Sequence, residues 1–532
     1  VAANRGVDAA IAEIDQLRTE RGDDNFTLAF LAADLLAQAQ RLDAAAARLQ
    51  EVADGTEMDS ADNLDARTGL ATVARRRDDT ERAREMVAAV LDAEPEHRGA
   101  NYLQASLHLE NGAFDEAVAA ARAALGGDPE WAPGLRVLAE GHLGQGERDL
   151  TIQTLVRLLR RHPGDIAAAG TLARLLAERG DYDQALSVWD HVIARSDDPT
   201  GALANAAEIA IRQENWNRAS RDIDRLLDSQ EGAVTGTLLA GSLRVARGDA
   251  AGAREWFARA REMNPDSSAP LMGLVRAHLA ENDLEGALAL VREETAQRPD
   301  NPLAHLLTAQ LERRRDRTQA AAEAYRRAID LQPDWATPYR ELAALYEAAG
   351  NPQSAMQVLE TGSRSGAAPD DLLLRKAFVQ QRSDDVEGAI ATYARMLDAG
   401  VETDVVVNNY AALVADFAPE DTARLERALA LAERFNTSDE AYFVDTLGWL
   451  QHRLGNSAEA VALLRRAAAM RPDDAQIRYH LAAAFDAAGE PDLARREVER
   501  ALVDGADYPG IEDARALRDT LAAEEQAEVV TE

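Results

Sequence analysis

The chain has no cysteine among its 532 residues. That excludes disulfides, thiolate metal sites and a cysteine nucleophile. Lysine is almost as scarce: of 58 basic residues only Lys376 is a lysine, and the other 57 are arginines. Aromatic residues make up 5% of the sequence. No apolar run approaches the 18 residues a membrane helix requires, and no stretch shows the two-residue alternation of a half-buried strand. Positive charge is in deficit throughout, with 93 acidic residues and a net charge of -35. So acidic a surface repels phosphate backbones and anionic lipid, which argues against nucleic-acid partners.

What is present is a beat. Pro95, Pro129 and Pro163 stand 34 residues apart, and Pro265, Pro299 and Pro333 repeat that spacing. Equal spacing over this distance means one unit copied many times, and this period belongs to paired antiparallel helices. When each copy's closing proline, or its equivalent, is numbered 32, position 8 holds Ala71, Ala105, Ala139, Ala173, Gly241, Ala309 and Gly448. Position 20 holds Ala83, Ala117, Ala185, Ala253, Ala287, Ala321, Ala355, Ala389, Ala460 and Ala494. Small side chains belong where two helix backbones approach. Between them, leucine, valine and aromatics recur at the i, i+3, i+4, i+7 spacing of a helix buried on one face. The proline ends the second helix because it lacks an N–H and clashes with the preceding turn.

This pattern resembles the tetratricopeptide repeat (TPR) over nearly the whole chain, and the best-formed copy is Ala441 to Pro472, with Leu447-Gly448 and Gly455. The resemblance implies an all-α fold: a right-handed TPR superhelix, or α-solenoid, of about 14 helix-turn-helix repeats plus a C-terminal capping helix. Residues 1–22 read as a half repeat, a second helix alone, whose missing partner predicts further chain upstream. Fourteen repeats then fill 23–506, a capping helix occupies 507–523, and 524–532 form an acidic tail expected to be disordered.

No catalytic or metal-binding constellation emerges. His108, His142 and His278 share position 11 of their repeats and read as packed spacers between helices. Asp59, Asp62 and Asp65 lack the alternation of a calcium loop and suit a helix N-terminus. Gly141, Gly144 and Gly146 stand in the wrong order for a phosphate loop, and Gly241-Ser242 lacks the setting of a nucleophile elbow. Arg75-Arg76-Arg77 and Arg313-Arg314-Arg315 each end a first helix, where cations are favourable, and each is followed by an acid, Asp78 or Asp316. The reading is therefore a non-enzyme with no cofactor.

In the TPR family, positions 2, 5, 9, 12 and 13 of the first helix face a concave groove. Carried over here, the last three repeats place Asn408, Tyr442, Asp445, Trp449, His452, Arg453, Gln476 and Tyr479 there, a mixture of large rings, amides and charge suited to recognition. The alternative is that Trp449 and Tyr479 merely pack between repeats. The groove's expected partners are protein segments or peptides, with self-association left open. The stretches Asn408-Asn409-Tyr410-Ala411, Asp445-Thr446-Leu447-Gly448-Trp449, Arg478-Tyr479-His480-Leu481-Ala482 and Tyr508-Pro509-Gly510 resemble the C-terminal part of TPR proteins of bacterial exosortase/PEP-CTERM exopolysaccharide systems. That resemblance implies a periplasmic or envelope-associated scaffold in polysaccharide export or protein sorting. The alternatives are a cytoplasmic scaffold, the targeting arm of a glycosyltransferase- or sulfotransferase-type enzyme, or an export component of the alginate or cellulose type.

A net charge of -35 sets a general expectation. Salt shortens the range of self-repulsion, so the thermal midpoint should rise between low and moderate NaCl. A steady fall over that range would contradict it.

Overall fold

In a computed structural model the protein is described over residues 6–21, 26–503 and 507–531; Val1–Arg5, 22–25, 504–506 and Glu532 lie outside the described residues. The described residues form 30 α-helices, one short 3-10 helix and no strand. The fold is an all-α solenoid. Two units divide the chain, residues 1–282 and 283–532, and the division falls in the turn of the eighth repeat.

The first unit opens with the lone helix Val7–Arg21, buried through Ala10 and Ile14. Seven helix pairs follow, from Thr27–Gln38 with Leu42–Gly55 to Ala233–Ala246 with Ala250–Met263, and then the helix Ser268–Ala280. The second unit begins with Leu284–Gln297. Six pairs follow, from Pro302–Arg314 with Thr318–Leu331 to Ala475–Ala487 with Pro491–Ala501. Its closing helix is longer than the sequence suggests. It runs Ile511–Thr531, so 524–531 are helical and not a disordered tail. Residues 522–528 read AAEEQAE, all strong helix formers with no glycine or proline to stop them.

The small residues do what their spacing implies. Ala71, Ala83, Ala105, Ala117, Ala253, Ala321, Ala389 and Ala460 have no exposed surface at all. At Gly448 even a methyl group is too much, because an added Cβ would lie 2.7 Å from Leu464 Cγ. The histidines of position 11 are interior, with His142 buried and His108 and His278 half-buried.

Every pair except Asp404–Phe417 with Thr422–Ala432 turns through one left-handed residue. Gly112, Gly146, Gly180, Gly248, Gly350, Gly455 and Gly489 take this role, and Asp78, Glu214, Asn282, Asp316 and Asp384 adopt the same positive φ. The next residue is often an aspartate or asparagine that caps the second helix. Asp249 accepts from Gly252 N at 2.9 Å, Asp385 from Gly388 N at 3.1 Å and Asn215 from Arg218 N at 3.2 Å. Part of the acidic excess therefore sits at helix N-termini, where the backbone dipole favours it.

Arginines join one repeat to the next. Arg48 reaches Asp15 at 2.7 Å, Arg75 reaches Glu110 at 3.1 Å and Arg382 reaches Glu347 at 3.2 Å, partners separated by 33, 35 and 35 residues. Four of the six arginines in the two triple runs are engaged in this way. Arg77 bonds Asp43, Arg313 lies 3.4 Å from Glu341 and Arg315 lies 3.1 Å from Glu285, while Asp78 and Asp316 serve as turn residues. The following acid is thus not the neutralising partner that sequence suggests; an acid about a repeat away is. The acids near residue 60 are also engaged, Asp59 with Arg67 at 3.6 Å and Asp65 with His97 at 3.2 Å.

Gly455, at φ 82°, has open space around its missing Cβ, so substitution there acts on the backbone alone. Gly455→Val should lower stability by roughly 1–2 kcal/mol, read as a lower urea midpoint. Gly455→Asn should lose far less, since Asn282 already holds that conformation.

Candidate functional site

Of the residues singled out in the last three repeats, Asp445, Trp449, His452, Arg453 and Tyr479 meet in one cluster around the ring of Trp449, whereas Asn408, Tyr442 and Gln476 make their contacts elsewhere. Four helices and a loop build the cluster: Asp404–Phe417, Ala441–Arg453, Ala475–Ala487, Ile511–Thr531 and the turn at Tyr508. Trp449 is buried, and its Nε1 donates to Asp416 Oδ1 at 2.7 Å. His480 stacks on the indole with ring centres 4.1 Å apart and planes within 12°. His452 stacks at 4.7 Å and 9°, and the Arg453 guanidinium lies 4.3 Å from the ring centre. Asp445 accepts from His480 Nδ1 at 3.0 Å to each carboxylate oxygen, both residues being buried. Tyr479 is buried against Trp449, Tyr508 and the close backbone of Gly510.

Three of the eight expected groove residues are therefore interior. Asp445, Trp449 and Tyr479 hold repeats together, because the first helices of adjacent repeats pack closely enough to enclose position 9 of one against positions 5 and 6 of the next. His452, Arg453, Asn408 and Gln476 are half-buried. Tyr442 alone is well exposed, at 45%. Its hydroxyl donates to Asp474 at 3.1 Å, and the Arg471 guanidinium lies 4.6 Å from its ring centre. Asp439, Glu440, Met470, Arg471, Asp473 and Asp474 line a cleft of about 600 Å³ beside it.

The electrostatics follow from burial. Loss of water pushes the Asp416 carboxyl up, opposed by His480, the Trp449 N–H and Arg453. Burial, helped by Arg453 and His480, lowers His452 to about 4, so it is neutral near pH 7. Burial raises the Tyr479 hydroxyl to about 12. His480 and Asp445 form a carboxylate–imidazole pair, but His480 Nε2 is enclosed and meets no partner among the described residues. The pair therefore ties two repeats together and offers no surface to a substrate.

Asp416 and His480 complete the cluster, and sequence reasoning assigned neither a role. Their signal is a polar residue on an otherwise apolar helix face with a suitable partner one repeat away. Asp416 precedes Trp449 by 33 residues, and Asp445 precedes His480 by 35.

Models of the tetratricopeptide repeat match residues 244–311, and also 68–130, 205–268 and 446–510. No curated protein matches the sequence. Similar solved structures include the APC/C hetero-tetramer Cut9-Hcn1, at 14% identity over 96% of this chain and 98% of that one, with a TM-score of 0.41. A tetratricopeptide repeat protein from Parabacteroides merdae is 18% identical over 47% and 97%, with a TM-score of 0.31. Naa15/Naa10 bound to HypK-THB is 13% identical over 98% and 97%, with a TM-score of 0.32.

The lowered pKa of His452 gives a signed expectation. The unfolded histidine takes up a proton near pH 6.5 and the folded one only near 4, so stability present above pH 6.5 is lost as pH falls through that window. The loss is roughly 2–3 kcal/mol. Asp416, raised in the fold, works in the opposite sense. His452→Phe keeps a ring on Trp449 and should flatten the decline between pH 6.5 and 4 in thermal melts; an unchanged slope would contradict the assignment. Both units share one repeating helix pair, and over residues 68–130, 205–311 and 446–510 the sequence matches models of the tetratricopeptide repeat.

Proposed function

We propose that the chain is a non-catalytic protein-interaction scaffold whose second unit recruits a partner beside Tyr442. One observation carries this reading. Tyr442 is an exposed aromatic held in place by Asp474 and Arg471, two residues that line the neighbouring cleft, on a helix anchored by the Trp449 network. A rigid ring flanked by directional polar groups loses little conformational freedom on binding, which is what an interface anchor requires. His452, Arg453, Asn408 and Gln476 supply half-buried polar contacts, and Asp445, Trp449 and Tyr479 form their support. The partner is a protein segment; the chain's charge disfavours nucleic acid, and among the described residues no helix is long and apolar enough to cross a membrane.

The finer reading, a periplasmic or envelope-associated scaffold in bacterial polysaccharide export or protein sorting, is supported by the motifs from Asn408 to Gly510 described above. A photo-crosslinking residue in place of Tyr442, introduced in the native cells, tests both levels. The expected result is a crosslink to an envelope export or sorting protein, lost when Gln476→Ala and Arg471→Ala are added. A crosslink only to cytoplasmic proteins would overturn the envelope reading. Absence of any crosslink would overturn the recruitment site.

A further inference from the structure

The first unit carries a different surface. Between the second helices of the fourth and fifth repeats, Arg148–Arg161 and Tyr182–Ile193, lies a cleft of about 270 Å³. Its walls are Val156, Leu159, Val188 and Val192, and its floor is Ala169 and Leu172 of the intervening helix Ile166–Glu178. Arg160 and His191 stand at the rim.

Val156 is the anomaly. It is 43% exposed, at a position five residues after the small residue of the second helix. The corresponding residues elsewhere are Ala88, Arg122, Asp190, Asp224, Ala258, Arg292, Arg326, Glu360, Ala394, Arg465 and Glu499. Every other copy compared carries a small or charged residue at this site, as a position on the outward side of a helix should. Only the fourth repeat places a branched apolar side chain there, and it is the copy that borders the cleft.

The charge at the rim is equally uneven. Arg157 is taken by Glu130 at 3.2 Å, Asp190 by Arg218 at 2.7 Å and Asp165 by Arg136 at 2.7 Å. Arg160 and its neighbour Arg161 have no carboxylate within ion-pair distance among the described residues, and both are exposed. An apolar slot rimmed by the unpaired Arg160 guanidinium, in a chain of net charge -35, selects for a bulky apolar side chain next to a carboxylate. We propose that this cleft is a docking site for an acidic peptide segment of a partner protein that inserts one bulky apolar side chain between the two helices. The site shares no residue with the surface beside Tyr442 and does not rest on that reading.

The test is fluorescence anisotropy on the full chain with a fluorescein-labelled peptide, Asp-Glu-Leu-Phe-Glu-Asp. Two controls replace either its Leu-Phe by serines or its acids by lysines. The acidic apolar peptide should bind saturably and weaken as NaCl is raised, and both controls should bind at least about ten-fold more weakly. Val156→Arg, which installs the residue found at this site in Arg122, Arg292, Arg326 and Arg465, should keep the thermal midpoint and lose about ten-fold in affinity. Arg160→Glu should weaken binding independently, and Tyr442→Ala should leave it unchanged. The proposal fails if the acidic peptide does not bind, if Val156→Arg and Arg160→Glu both bind at full strength, or if the basic peptide binds equally well. A dimer in sedimentation equilibrium that Val156→Arg dissolves would assign the cleft to a second copy, and would also overturn it.

Discussion

Everything in both units depends on how closely two helix backbones approach within a repeat. That distance is set by side chains that are absent: alanine with no exposed surface at Ala83, Ala117, Ala253 and Ala460, and glycine at Gly448, where a single carbon would strike Leu464. Close approach brings the flanking leucines, valines and aromatics into contact and removes them from water, the dominant favourable term. It also fixes where the next pair must lie, because a helix pair of constant thickness presents the same face each time. The period in the sequence is therefore a length in the structure.

That constancy explains the choice of cation. Partners about one repeat apart sit at nearly fixed separation, and arginine's long stem and planar fork can reach and grip a carboxylate across the step. Each exposed pair stabilises little, between about 0 and 1 kcal/mol. Collectively they neutralise acids that the turns place at helix N-termini. Lys376 is the exception that shows the rule: it is half-buried beside Glu360, at 2.9 Å, and Arg395 together with Lys376 holds this carboxyl down to about 2.

Much of this was legible in the sequence. Prolines, small residues and helical spacing located each helix pair, since a repeat announces itself many times and a local ambiguity in one copy is resolved by the others. Direction was harder to read. Trp449 and Tyr479 occupy positions that face outward in the family, yet here they are buried, because Asp416 and His480 on the neighbouring repeats give the indole polar and stacking partners. Such a pairing is written one period apart, beyond the reach of local patterning. The turns were legible only in part. Glycine marks the left-handed residue in some copies, whereas Asp78, Glu214 and Asp384 adopt it without that signature. The length of the closing helix was missed because acidic composition resembles a solvated tail, whereas alanine, glutamate and glutamine are also good helix formers.

The Asp416–Trp449 and Asp445–His480 bonds have a consequence for folding order. Near-identical modules are prone to docking out of sequence, since any apolar face fits any other. A misplaced neighbour that lacks the tryptophan or the histidine would leave an aspartate without its fitted partner, a penalty of roughly 1–3 kcal/mol where the group stays unsatisfied. These two bonds therefore act as keys that favour the native order of the twelfth, thirteenth and fourteenth modules.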